Sequence, residues 1–404
     1  MFITALSCIV AALLLFFPFT NPVEVNTPIF ASLVALVGTA VLIIFPVLNA
    51  LYLTPLQALE QKLIPRLMEL YRKDKLLNIS SLFTLLFPFA SYVFAALCFT
   101  KDIPIKPAYI AAWVVFLGVT LDLIRDNLKR AANFLNPYHF IETFTQRANR
   151  SIVNDKDNDL WGSIDSLSEI AVRSVKAGKT DLTMQVLNAF PSILESFFTS
   201  SKSLTRVNQD QEIKKETGKD EAGYTVFYLL QRIELINMKA LEHGLGTICG
   251  HVIMILGKII VAGAKFDLSM VPFPTHVLGK LALRAQQYHF DEVATLGTAT
   301  LLGVAKTIIN DVNLNYTELQ EPFGALIKNL NLIAQATFKK DKTISPKLLA
   351  QPFRELRELF RSEKVANHQD TPAILLQIDG VLEEFAALEQ VMRTIPPISE
   401  MKPT

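Results

Sequence analysis

The chain is poor in charge over its first third and poor in cysteine throughout. It contains no stretch that alternates apolar and polar residues as a half-buried strand does. Three cysteines in 404 residues exclude a disulfide framework. Cys8 and Cys98 lie in apolar runs and Cys249 in an expected buried helix, so all three read as small packing residues. None of the six histidines has the i, i+4 partner of a helical zinc site. His243 and His251 can share a helix face, but no third ligand accompanies them, and no metal or cofactor is expected. From Arg125 onward 32 basic residues face 32 acidic ones, and this balance excludes the basic face that nucleic-acid binding requires.

What is present is apolar length. Four runs, 2–19, 29–53, 79–99 and 107–123, hold a single charge, Asp122, near the end of the last. Each is close to the ~20 residues that cross a bilayer at 1.5 Å per residue. They raise mean hydropathy to +0.32. The expectation is an integral, multi-pass membrane protein with a four-helix transmembrane region over 1–124. The first run lacks a preceding Lys or Arg and a small-x-small cleavage site, so it is expected to stay as a span. No charge lies near the centre of any run. Buried ionisable groups mark proton relays, pumps and voltage sensors, and their absence speaks against those classes.

The loops carry an orientation. The segment 20–28 has Glu24 and no basic residue, whereas 54–78 has Lys62, Arg66, Arg72, Lys73 and Lys75, and Arg125, Lys129 and Arg130 follow the last run. Positive loops stay in the cytoplasm, so both termini are placed there, with the lipid bilayer as first partner. Lys101 and Lys106 between the third and fourth runs oppose this and are outnumbered. Arg66, Arg72, Lys73, Lys75, Arg125, Lys129 and Arg130 are the expected membrane-surface contacts. Thr54-Pro55 has the form of a helix start, with Leu56, Leu59, Leu63, Leu67 and Leu70 as an apolar stripe and Pro65 as a bend. Pro46 and Pro88 sit inside the second and third runs as possible hinges.

Beyond a connector over 125–158, the chain 159–394 is helical by pattern, as a bundle or an irregular α-solenoid. Asp159 is expected to cap a helix buried through Leu160, Ile164, Leu167, Ala171 and Val175. A turn at Ala177–Thr180 leads to a return helix with Val186, Leu187, Phe190, Ile193, Leu194 and Phe197. Lys176–Thr180 has the ending of a phosphate loop, but Arg173 stands where its first glycine belongs. The polar stretch 200–223 is expected to be a mobile loop. Helix then resumes, with Phe227, Leu230, Ile233 and Leu241 on its apolar side. The segment 243–264 is nearly apolar but interrupted by His251 and Lys258, and reads as a core helix rather than a fifth span. Thr317-x-x-Gln320 has capping-box form, and Ser345-Pro346 and Thr371-Pro372 are cap-plus-proline starts. The tail 395–404, with three prolines, is expected to be disordered.

Arg150–Asp155, with Val153-Asn154-Asp155 followed by Ile164-Asp165-Ser166-Leu167, resembles a family of uncharacterised bacterial predicted membrane proteins. In that family several N-terminal spans precede an Ile-Asn-Asp-Pro segment that opens a helical region; here Lys156 replaces the proline. The resemblance implies a bacterial inner membrane and carries no activity. Asn154, Asp155, Asp157, Asn158 and Asp159 supply oxygen ligands but not the spacing of a calcium loop, and read as a capping turn. The function expected is a non-enzymatic scaffold that presents a helical surface to a protein partner or to further copies of itself. The alternative is an oligomeric channel gated by the helical part.

Overall fold

The computed structural model describes residues 2–16, 27–65, 67–99, 107–153, 157–207, 221–315 and 317–394. Among them the protein is all-α, with no strand. Two compact units divide at Phe140/Ile141.

The first unit holds α1 (Phe2–Phe16), α2 (Thr27–Lys62), α3 (Leu67–Lys73), α4 (Lys75–Phe99) and α5 (Pro107–Phe134). Packing follows the order α1 on α5, α5 on α4, α4 on α2. All three crossings are antiparallel. Thr4 meets Asp122 and Ser7 meets Gly118; Ser80 meets Asn127 and Ser91 meets Trp113; Val34 clusters with Ala95, and Thr39 meets Tyr92. The crossings are close because small residues stand at them. A Cβ on Gly38 would lie 2.9 Å from that of Ser91, and one on Gly118 2.6 Å from that of Ser7. Polar side chains bond between helices (Thr39 to Tyr92 at 2.9 Å, Trp113 Nε1 to Ser91 Oγ at 3.0 Å), while leucines, isoleucines and phenylalanines line the outside. Three of these helices, over 28–62, 75–99 and 107–134, are long and apolar enough to cross a bilayer, and the protein is a multi-pass membrane protein.

Thr54-Pro55 does not start a helix. α2 runs through it to Lys62, and Thr54 Oγ1 donates to Ala50 O instead of capping. Proline costs one backbone bond here without ending the helix, because the carbonyl it frees can be served by a side chain or by local adjustment. The break comes at Leu63–Pro65, where three buried residues turn the chain into α3. The expected connector is helical. α5 continues to Phe134, and α6 (Pro137–Val153) follows across the division between the units.

The second unit continues with α7 (Asp157–Lys176), α8 (Thr180–Val207), α9 (Glu221–Glu242), α10 (Gly246–Phe266), a 3-10 turn, α11 (Pro272–Gln287), α12 (Asp291–Asp311), α13 (Gln320–Lys340), α14 (Pro346–Leu349), α15 (Gln351–Phe360) and α16 (Thr371–Thr394). From α7 on, the long helices pack in parallel on their next-but-one neighbours, and where the one-turn α14 intervenes α12 packs on α15 and α13 on α16. In one layer Trp161 meets Tyr224, Glu234 meets Lys280, His276 meets Asn329, and Gln335 meets Glu384. In the other, Asn188 meets His251, Gly257 meets Thr300, and Lys306 meets Glu355. The partners are 43 to 54 residues apart along most of the stack and 63 apart at its start, where the segment 208–220 intervenes. Hairpins are thus stacked in two layers of parallel helices.

Turn chemistry explains the joints. Gly178 and Gly244 adopt φ of +67° and +71°, which only glycine takes without strain, and each ends a helix. Some expected caps are displaced. α7 begins at Asp157, and Asp159 instead pairs with Arg147. Thr317 bonds back to Leu314 O, while the free amide of Leu319 donates to Asp370 Oδ2 at 2.8 Å, a cap supplied from the start of α16. Ser345 makes no side-chain cap bond. Of the expected stripe in α9, Leu230, Ile233 and Leu241 are buried, but Phe227 points outward.

Candidate functional site

The membrane unit gathers its polar chemistry at one end. Asp74 is the centre of it. Its Oδ1 accepts from the amides of Leu76 and Leu77 at 3.0 and 3.1 Å, capping α4, and its Oδ2 lies 3.8 Å from Arg130 Nη1 on α5. One turn further, Ser80 donates to Asn127. Lys73 pairs with Glu69 at 2.6 Å, and Arg125 sits between Asp122 and Asp126 at 3.4 and 3.5 Å. Asp122 is buried, and its Oδ2 accepts from the backbone N and the hydroxyl of Thr4 at 2.9 and 2.6 Å. A carboxylate there satisfies one of the open amides at the start of α1, that of Thr4, and complements the helix dipole. The structure thus brings Arg72, Lys73, Lys75, Arg125, Lys129 and Arg130 to one end of the unit, and the start of α1 with them. Arg66, Lys101 and Lys106 lie outside the described residues, as do residues 208–220 of the expected mobile loop, Asn154, Asp155 and the tail 395–404.

The two expected hinges differ. Pro46 is exposed and Pro88 is buried at the α2–α4 crossing beneath Gly38; neither interrupts its helix. Toward the opposite end of the unit, α4 and α5 enclose an apolar slot of about 620 Å³ lined by Ala90, Phe94, Tyr109, Ala112, Trp113 and Phe116.

In the second unit the most distinctive surface is an aromatic ridge across the first ends of α7, α9 and α11. Trp161 stands edge-on to Tyr224 and Tyr228, with ring centroids 5.4 and 4.8 Å apart, and Phe227 meets Phe273 at 5.6 Å. Tyr224, Phe227 and Phe273 are 52%, 41% and 43% exposed. A polar triad braces the ridge. Tyr228 donates to Asp165 at 2.6 Å, Arg232 donates to the Tyr228 hydroxyl at 2.8 Å, and Arg232 and Asp165 form an ion pair at 2.8 Å. Burial, then the bond to Asp165, raises the Tyr228 pKa, so the phenol stays protonated. None of these residues was singled out as a site from sequence. The spacing that could have found them is present: Trp161 and Asp165, and Tyr224, Tyr228 and Arg232, recur every four residues on one face. Which helix faces which is set only by the stack.

A cleft of about 660 Å³ lies between the starts of α10 and α12, with His289, Asp291 and Glu292 on its wall. His289 takes φ of +67° in the turn, and Asp291 is held by Lys340 at 2.5 Å. His243 and His251 do not share a helix: His243 lies in the turn before α10, and His251 within it, 3.0 Å from Asn188. Among the described residues no group of three or more His, Cys, Asp or Glu is placed to hold a metal. Lys176–Thr180 forms a helix-to-helix turn. No family model matches the chain, and no curated protein and no solved structure matches it.

Proposed function

We propose that this protein is a membrane-anchored platform whose stacked helices present the aromatic ridge to a protein partner, either a different protein or a second copy, on the cytoplasmic side. No catalytic role is part of the proposal. The observation that carries it is the row of exposed Tyr224 and Phe227 on α9 and Phe273 on α11, two helices stacked on each other. Aromatic side chains are enriched at protein interfaces, and these rings, though they touch across the stack, keep 41–52% of their surface open. Orientation follows from charge. The end that holds Arg72, Lys73, Lys75, Arg125, Lys129 and Arg130 is assigned to the cytoplasm, and the Thr4–Asp122 contact puts the start of α1 at that same end. A bacterial inner membrane fits this arrangement.

A photo-reactive phenylalanine analogue at Phe227 or Phe273 is expected to give one discrete, stoichiometric adduct in native membranes. The same probe at exposed Leu348, away from the ridge, should give none. Equal adducts at all three positions would remove the ridge from the proposal. For orientation, single cysteines at Glu69 and Lys328 should resist a membrane-impermeant maleimide in intact cells and react once the membrane is opened. Labelling from outside would reverse the assignment.

A further inference from the structure

We infer that the aromatic ridge takes a proline-rich segment in polyproline form, and that this segment is Ile395-Pro396-Pro397-Ile398 of a second copy of the chain. The inference rests on the ridge being an interface and names what covers it.

The ridge offers ring faces and hydrogen-bond donors. Trp161, Tyr224 and Tyr228 form one cluster with ring centroids 4.8 to 6.4 Å apart, and Tyr224 is half exposed. An indole nitrogen can only donate. Neither the Trp161 N–H nor the Tyr224 hydroxyl has a hydrogen-bond partner among the described residues. The polar groups beneath them are committed to one another: Tyr228 donates to Asp165, and Arg232 serves both. Their charges cancel, so they do not select a charged ligand.

A ligand that fits therefore brings apolar rings and backbone acceptors without donors. Proline supplies both, since it has a carbonyl and no N–H. A polyproline helix has no internal hydrogen bonds, and its carbonyls stay open to a partner. An α-helix lying on the ridge would keep its carbonyls in its own ladder and leave both donors unmet. Aromatic surfaces are the recurrent partner of proline-rich segments for this reason. The chain has a single pair of consecutive prolines, Pro396-Pro397, and isoleucines flank it on both sides. Those isoleucines match the exposed rings of Phe227 and Phe273 beside the cluster.

The segment has to come from another copy. α16 is 24 residues long, about 36 Å, and runs parallel to α13, as α13 does to α11. Its last residue, Thr394, is thus at the end of the layer opposite the ridge. Pro396 follows two residues later, within about 7 Å of Thr394 even when extended.

A fluorescent peptide of residues 394–404 is to be titrated with the full-length chain in detergent and followed by anisotropy. Saturable binding is expected, and P396A/P397A in the peptide should abolish it. W161F keeps a ring and removes one donor, so it should weaken binding about fivefold, the worth of one neutral hydrogen bond. Y224F should do the same, and it deletes only an exposed hydroxyl, so the test survives if W161F fails to fold. Y288F, which deletes an exposed hydroxyl at the other end of α11, should change nothing. In native membranes the photo-reactive probe at Phe273 should join two copies and map to 395–398. Absent binding, equal binding of the alanine peptide, or full affinity in both ring variants would overturn the inference. An adduct with a different protein would overturn it too, while leaving the ridge standing as an interface.

Discussion

Two helices of nearly equal apolarity are used in opposite ways. α4 and α10 are almost equally apolar, yet protein buries about a third of α4's most apolar stretch and about two thirds of α10's. α10 is wrapped by α8, α9, α11 and α12, and its Ile248, Val252, Ile253, Leu256, Ile259 and Ile260 meet other side chains. α4 turns Thr84, Ser91 and Ala95 to its neighbours and leaves Ile79, Leu82, Phe89 and Val93 outside. Hydropathy tells that a helix avoids water. The two helices differ in how much of that apolar surface the protein itself covers: α4 buries Leu77, Phe87 and a few small and polar residues and leaves most of its other large side chains outside, whereas α10 buries nearly all of its own.

The largest effect that tests this contrast is a pair of matched truncations. Leu256→Ala in α10 should cost about 2–5 kcal/mol, because a fully buried leucine leaves a cavity. Leu82→Ala, 58% exposed on α4, should change stability by no more than about 0.5 kcal/mol. Denaturant titration of the detergent-solubilised chain, followed by limited proteolysis of the second unit, reads both. Similar losses at the two positions would mean that α4 is covered by protein and would dissolve the distinction.

Close crossings are the feature the two regions share, and they sharpen the comparison next. A Cβ on Gly257 would lie 2.5 Å from Thr300 Cγ2, and one on Gly38 2.9 Å from Ser91 Cβ. Gly257→Leu and Gly38→Leu should each destabilise their own unit by about 1–3 kcal/mol through overpacking. Thermal melts monitored by tryptophan fluorescence can assign the loss, since Trp113 reports the first unit and Trp161 the second. A glycine variant that lowers both transitions together would show that the units unfold as one.

Much of this arrangement is legible in the sequence. The stripes of α7 and α8 are buried as the spacing predicts, Leu160 through Val175 and Val186 through Phe197. α10 is largely covered by protein, as expected of a core helix, although it and α12 are also long and apolar enough to cross a bilayer. What escapes is decided by residues far apart in the chain. Thr317 has the form of a cap, but Asp370 reaches the open amide first. Phe227 fits an apolar stripe and lies outside, because Phe273 on the next helix offers it a partner there. Pro55 looks like a beginning and is an interior residue, since a helix in an apolar setting keeps its remaining bonds rather than expose them. The ridge and the polar end share this character: each is assembled by stacking, and no local pattern announces which faces meet.

The smallest expected effect concerns acid, and it separates the regions once more. His251 in α10 has its pKa lowered, first by burial and then by nearby Lys258, while Asn188 on α8 is bonded to the ring. The sign follows from linkage. With the folded value below the ordinary 6.5, the unfolded chain takes up the proton first as pH falls, so stability is full above about 6.5 and declines below it until the folded ring is protonated as well. The lowered pKa values of Glu355, bonded to Lys306, and of Asp341, bonded to Thr343, act in a separate window. Their contribution is present above the ordinary carboxylate range and lost only as pH falls through it. The melting transition of the second unit should therefore drop modestly between pH 7.5 and 5.5, and His251→Gln, which keeps a partner for Asn188 and removes the titration, should flatten that step while leaving the loss near pH 4. A step that persists in the variant would place the titrating group elsewhere in the stack.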